Sequence, residues 1–218
     1  MTWGPQEATV GRMDLMREAE RERAELAGLL AELRPDEWLL PSLCAGWTVR
    51  DVVAHVLSYE GLGPREVVGR MVRGRLVLGR INDVALRAQG PASPAELLER
   101  LRAFPRPTGL TAARGGAVGL VDALIHQQDI RRPLGRPRTV DPARLRFALD
   151  FTRTAPPLRG FWKARGVRLV ATDVDWTAGR GPEARGPGEA VLMAMAGRRG
   201  AAADLAGPGA AVLGRRHG

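Results

Sequence analysis

Apolar residues recur at helical spacing along most of the first 155 positions. Between Met13 and Leu33 the leucines share one helical face and charged residues occupy the others, which predicts a long amphipathic first helix. Arg34-Pro35-Asp36 ends this pattern. A second helix is predicted after Thr48, because Asp51 follows three residues later and the pair forms a capping box ahead of an apolar run.

Four further segments show the same periodicity. In the first segment, 66–88, three glycines each destabilise a helix by about 1 kcal/mol, so a broken helix is expected there. The second begins with Ser93 as a cap and Pro94 at the first helical position. The segments are 66–88, 93–104, 119–135 and 142–154.

The pattern changes after Pro156-Pro157. Residues 167–179 alternate like a strand, 179–188 are rich in Gly and Pro and predict a turn, 189–197 predict an apolar helix, and 210–214 predict a short strand. We therefore expect a helical bundle over residues 1–158 and a small α+β domain over 159–218. Four helices joined by short connections predict an up-and-down bundle.

Composition narrows the class of protein. A chain of 218 residues with 44% hydrophobic content can bury one sizeable core, and it contains no apolar run of the length that a membrane helix needs. The first residues lack the basic and apolar pattern of a signal peptide, and the single cysteine, Cys44, excludes an internal disulfide. These features predict a soluble cytoplasmic protein without membrane partners.

The net charge of +9 raises the question of nucleic-acid binding. Lys163 is the only lysine, so nearly all of the basic charge is arginine. The arginines alternate with acidic residues, however, and aromatic residues make up only 5% of the chain, too few for obvious base-stacking surfaces. The pattern therefore argues against nucleic acid, a partner whose affinity would fall steeply with salt.

The most informative segment is GLVDALIHQQDIRRPLG, residues 119–135. Asp122 and His126 are four residues apart, so in a helix they lie one above the other and can reach a single divalent ion. Asp129 follows three residues later, and His55 falls among the apolar positions of the second helix. Ionisable groups on an inward face are costly unless they are paired or bind metal. The pattern therefore indicates a metal site.

Simpler roles remain open for the two acids. Asp122 could be a buried carboxylate paired with Arg50 or Arg131. Asp129 could pair with Arg131 or Arg132, or it could accept from the Nδ1–H of a histidine, as carboxylates beside metal sites often do.

Other residues are candidates for holding a thiol or a substrate. Arg131 and Arg132 could hold a substrate carboxylate, although cations at the end of a helix are also favoured by its dipole. Trp47 could line a pocket or simply cover the core. Cys44 has no catalytic partner visible in the sequence and is interpreted as a packed or accessible thiol.

Two of these motifs resemble a known family. GWTVRDVVAHV on the second helix and VDALIHQQDIRRPLGRP on the later one are similar to the mycothiol-dependent maleylpyruvate isomerase family, within the DinB-like superfamily of metal-binding four-helix bundles. The segment DVDWTAGRGPEARGPGEAVLMAMAGR resembles the family's small C-terminal domain.

The resemblance implies a mainly α, DinB-like up-and-down four-helix bundle with a small C-terminal α+β domain. It also implies a divalent metal held by His55, Asp122 and His126, with mycothiol as co-substrate. Family members often carry glutamate where this chain has Asp122, which is one methylene shorter, so Asp129 is an alternative or supporting ligand. Zinc is favoured, and the same ligands suit nickel, iron or manganese.

The expected function is that of a metal-dependent isomerase or S-transferase, which uses mycothiol and acts on a small electrophilic or acidic substrate. The metal would lower the pKa of the thiol and present a thiolate. The alternative is a non-catalytic metal-binding bundle that serves as a binding or regulatory module.

Overall fold

The computed structural model describes residues 13–75, 78–155 and 160–217. These residues form a mainly helical molecule with one small sheet. The helices are α1 Leu15–Ala31, α2 Val49–Leu57, α3 Pro64–Arg73, α4 Leu78–Gln89, α5 Pro94–Ala103, α6 Ala117–Arg131, α7 Pro142–Thr154, α8 Gly160–Lys163, α9 Gly188–Ala196 and α10 Pro208–His217.

The first core lies between α1, α2, α5 and α6, which pack against one another as a four-helix arrangement. Leu26 and Leu30 of α1, Val52 and Val56 of α2 and Leu97 of α5 belong to one buried cluster. The predicted caps form: the Thr48 side chain and Asp51 make a capping box at α2, and Ser93 and Glu96 make one at α5. Local sequence therefore fixes where two of the four bundle helices begin.

Gly116 allows α6 to begin against α1. Its φ is +96°, and a Cβ atom there would lie 2.7 Å from the Cα of Met16. Only glycine tolerates both the left-handed backbone and this approach. The start of the helix that carries Asp122 and His126 is thus set by contact with α1.

The region over 66–88, where a broken helix was expected, forms two helices. α3 ends at Arg73, and the chain turns through Gly74 and Arg75, whose φ is +53°. A Cβ at position 74 would lie 2.4 Å from Ile81 of α4, so the glycine permits close packing of the two helices. We call α3 and α4 the α3–α4 hairpin; α4 packs against α2.

The second core joins α6 and α7 to the C-terminal residues. The sheet has the order β2-β1-β3, with β1 Arg168–Ala171, β2 Thr177–Ala178 and β3 Glu183–Gly186. β1 runs antiparallel to β2 and parallel to β3. The apolar helix α9 is buried along its length and packs on α7 and on the sheet. The proposed domain boundary at 158 stays a prediction, since α7 contributes to this second core.

Three predictions for the C-terminal region were wrong. Residues 167–179 are not one strand but β1, a turn and β2. The segment predicted as a turn over 179–188 contains β3, because its backbone pairs with a distant strand. Residues 210–214 lie in α10 rather than in a strand, since Pro208 and the alanines favour a helix start. Short apolar runs do not distinguish the two structures by pattern alone.

No helix within the described ranges combines the length and the apolar character needed to cross a membrane.

Candidate metal centre

Two helices of the first core bring the predicted metal ligands together. His55 lies near the end of α2, and Asp122 and His126 lie one turn apart on α6. Oδ1 of Asp122 is 3.5 Å from Nε2 of His126 and 3.9 Å from Nε2 of His55. The two imidazole rings are 4.8 Å apart between centroids. One donor atom from each of the three residues lies within 4.8 Å of the donor atoms of the other two.

This arrangement fits a divalent ion. Ligand atoms at about 2.1 Å from a tetrahedral zinc lie roughly 3.4 Å from one another, close to the separations between these atoms. Both histidines are buried, whereas Asp122 keeps 28% of its side chain exposed. Nδ1 of His55 is buried and has no hydrogen-bond partner among the described residues. The donor set is one that zinc, nickel, iron and manganese accept.

Asp129 contacts the opposite side of His126. Its Oδ2 atom is 2.9 Å from Nδ1 of the imidazole, so Nε2 faces Asp122. Arg198, from the residues after α9, donates two hydrogen bonds of 2.7 Å to the same carboxylate. A carboxylate in this place fixes the orientation and tautomer of a ligating histidine. The geometry thus favours the supporting role for Asp129 over direct ligation.

The surroundings of His126 and His55 shift their pKa values in opposite directions. Burial acts to lower the pKa of His126, but the charge of Asp122 and the hydrogen bond to Asp129 outweigh burial and raise it to about 10. Burial lowers the pKa of His55, and the weaker contact with Asp122 does not reverse this. Burial acts to raise the pKa of Asp122, yet the two imidazoles hold it below its usual value.

Cys44 lies beside the same carboxylate, which sequence reasoning did not predict. Its thiol donates to Oδ2 of Asp129 at 3.1 Å and lies 3.7 Å from Nδ1 of His126. The backbone N–H of Leu43 donates to the carbonyl of Asp129 and ties this loop to α6. Arg198 was missed as well, because it is 69 residues from Asp129 and no local pattern links them. Neither residue carried a sequence signal for this position.

Aromatic residues enclose His55. The ring of Trp47 lies 5.0 Å from the imidazole, so this candidate residue does border the site. Tyr59, predicted only as part of a buried stripe, meets His55 edge-on at 5.7 Å, and its hydroxyl donates to Asn82 of α4. Burial and the charge of Asp122 raise the pKa of Tyr59 to about 12, so the phenol is neutral at physiological pH.

The two candidate arginines have partners elsewhere. Arg132 donates two hydrogen bonds to Glu189 and a third to Asp204. Arg131 donates to Gln127 and to a backbone carbonyl. Their role in holding a substrate stays a prediction.

The two arginines considered as alternative partners of Asp122 form hydrogen bonds with other residues. Arg50 donates to the carbonyl of Ala92, and Arg131 donates to Gln127. Neither forms an ion pair with Asp122 within the described part of the chain, so the site is not explained by a simple carboxylate–arginine pair.

Fold and site together define a helical bundle that presents histidine and carboxylate side chains at its core, with a small α+β unit against it. Residues 19–105 match the Mycothiol maleylpyruvate isomerase N-terminal domain. Over these residues, which include the GWTVRDVVAHV motif, the match bears out the resemblance to the mycothiol-dependent maleylpyruvate isomerase family.

Two solved structures are similar in fold. One is a histidine-to-alanine mutant of mycothiol-dependent maleylpyruvate isomerase, with a TM-score of 0.57 and 16% identity over 89% of this chain and 91% of that chain. The other is mycothiol-dependent maleylpyruvate isomerase itself, with a TM-score of 0.51 and 12% identity over the same shares. At these identities the likeness supports the fold alone. No curated protein matches the chain.

Proposed function

We propose that this protein is a divalent-metal-dependent enzyme that uses mycothiol, an isomerase or S-transferase acting on a small electrophilic or acidic substrate. The observation that carries the proposal is the convergence of His55, Asp122 and His126 from two helices, with donor atoms within 4.8 Å. Zinc is the favoured metal. When bound, it would lower the pKa of a thiol so that the thiolate is available as nucleophile.

The protein's own residues support this chemistry in distinct ways. Asp129 and Arg198 hold His126 so that Nε2 points to Asp122. The exposed part of Asp122 leaves the donor group within reach of solvent and of small molecules. Trp47 and Tyr59 flank His55 and restrict water on that side.

The nucleophilic sulfur is supplied by the co-substrate in this proposal. Cys44 lies on the Nδ1 side of His126, where its thiol is hydrogen-bonded to Asp129. The imidazole ring therefore separates Cys44 from the donor atoms that face Asp122.

Elemental analysis and a thiol assay test the proposal together. Purified protein should contain about one zinc per chain, and replacement of His55 or His126 by alanine should remove it. His217→Ala is the matched histidine control and should retain the metal. With mycothiol present, conversion of maleylpyruvate to its isomer is then measured, and mycothiol consumption is measured with a panel of electrophiles, each with metal supplied and withheld. Unchanged metal content in both site variants would refute the proposal.

The alternative is a non-catalytic metal-binding bundle, which the shorter Asp122 side chain leaves open. The non-catalytic bundle should still bind zinc through His55 and His126. With mycothiol present, however, it should show neither isomerisation of maleylpyruvate nor thiol consumption with any electrophile above the level of the Asp122→Asn variant. Asp83→Asn, an exposed acid on α4, controls for the loss of one charge.

A further inference from the structure

Helix α3 presents its most apolar face to solvent. Val68, Met71 and Val72 lie one helical turn apart, and their exposed fractions are 56%, 38% and 67%. On the opposite face, Arg70 is buried, donates to the carbonyl of Ser58 at 2.6 Å and lies over the ring of Tyr59. A helix normally buries its apolar face against the core and exposes its charges. This reversal indicates that the face contacts something outside the folded chain.

Exposed arginines lie on both helices of the α3–α4 hairpin. Arg65 and Arg73 of α3 and Arg80 and Arg87 of α4 are exposed, and none of them forms an ion pair with a described residue. Arg73 and Arg87 donate only to carbonyls of their own helices. Elsewhere in the described structure several arginines are matched to carboxylates, as Arg198 is to Asp129.

The charge of the α3–α4 hairpin is strongly unbalanced. Residues 64–89 contain six arginines against Glu66 and Asp83, a net charge of +4. Glu66 is already engaged at the N-terminus of α3, where it accepts from the N–H of Gly63. The combination of an exposed apolar stripe with flanking cations is the pattern of a helix that lies in a membrane interface.

We propose that the α3–α4 hairpin docks this protein on an anionic lipid bilayer, a peripheral partner that differs from the sequence-based expectation of no membrane partner. Val68, Met71 and Val72 enter the boundary between headgroups and acyl chains, while Arg65, Arg73 and Arg80 meet the lipid phosphates. Arginine suits this position because its apolar stem packs along the interface and its guanidinium binds phosphate.

The charge of the hairpin argues against a second copy of this chain as the occupant, and its apolar stripe argues against nucleic acid. A second copy packed through the same face would bring +4 against +4 in a molecule of net charge +9. Nucleic acid would require the cations but would leave the apolar stripe at the centre of the contact without a partner. A bilayer satisfies both features. The inference does not depend on the proposed metal chemistry.

Vesicle co-sedimentation of the full chain tests the proposal. The protein should bind phosphatidylglycerol vesicles and not phosphatidylcholine vesicles, and binding should fall about tenfold or more between low and moderate salt. Arg65→Glu/Arg80→Glu should weaken binding at least about tenfold. Val68→Ser/Val72→Ser, which leaves the charge unchanged, should weaken it about fivefold.

Matched controls separate a docking surface from general basicity. Arg146→Glu/Arg153→Glu changes the net charge equally at exposed positions of α7, and Leu39→Ser replaces an apolar residue that is 66% exposed elsewhere. Both controls should bind like the parent. Equal loss in the α7 control, equal binding to both lipids, or no binding would overturn the proposal. So would self-association in sedimentation velocity that Val72→Asp abolishes. Far-UV circular dichroism verifies that each variant is folded.

Discussion

His126 is contacted through both nitrogen atoms of its ring. Nε2 faces Asp122 at 3.5 Å, and Nδ1 faces Asp129 at 2.9 Å. Two carboxylates stabilise the imidazolium form, which is why its pKa rises to about 10 although burial acts to lower it. A metal ligand must be a neutral imidazole. Metal and proton therefore compete for this residue.

Zinc binding should release a proton at pH 6. His126, with its pKa of about 10, is then protonated, whereas burial keeps His55 neutral. We expect about one proton released per zinc bound, measured by isothermal titration calorimetry in two buffers of different protonation enthalpy. If His126 were not a ligand, the observed enthalpy would be independent of the buffer.

The raised pKa of His126 also predicts that the stability of the metal-free protein depends on pH. Its folded value of about 10 lies above the unfolded value of 6.5, so the stabilisation is fully present below pH 6.5 and is lost as pH rises towards 10. Urea unfolding with chelator should show the free energy of unfolding falling over this range. His126→Gln removes the titration, so the difference between the two proteins should shrink with rising pH. A constant difference would contradict the assignment.

At the scale of elements, α6 carries most of the candidate centre, and its position depends on a close contact with α1. Sequence periodicity predicted the helix and placed Asp122 and His126 on one face. The left-handed Gly116 and its approach to Met16 were not evident from the pattern, because they depend on where another helix lies.

Gly116→Ala should lower the free energy of unfolding by at least about 2 kcal/mol, because a Cβ atom meets the backbone of Met16 at 2.7 Å and the φ of +96° is strained for alanine. Gly28→Ala is the matched control, since Gly28 lies within α1 and a Cβ there meets nothing within 4 Å. That change should raise stability by about 0.5–1 kcal/mol. Thermal and urea unfolding measure the stability of both variants. Equal effects of the two substitutions would show that the contact of Gly116 with α1 does not set the cost of a Cβ atom at this position.

At the scale of the molecule, a residue of the C-terminal region reaches the candidate centre of the bundle. Arg198 binds Asp129 behind His126, and Arg132 at the end of α6 binds Glu189 and Asp204. Both are contacts between the bundle and the C-terminal residues. Only the contact of Arg198 reaches a predicted metal ligand, because its partner Asp129 contacts His126.

Arg198→Met should weaken zinc binding about tenfold, because Asp129 loses the partner that holds it against His126. Arg132→Met breaks ion pairs of the same kind away from the site and should leave zinc affinity within about twofold. Competition with a chromophoric chelator measures both. Equal losses would indicate that the effect is one of general stability rather than of ligand orientation.

The sequence alone predicted the helical class, the caps of α2 and α5 and the pairing of Asp122 with His126, because caps and i, i+4 spacing are local. The family resemblance joined His55 to this pair and added the thiol. The sequence did not reveal β3 or the contacts of Cys44 and Arg198 with Asp129, because these join residues that are separated along the chain. Only the packing of the two cores brings such residues together, and packing depends on the whole set of long-range contacts rather than on any local pattern.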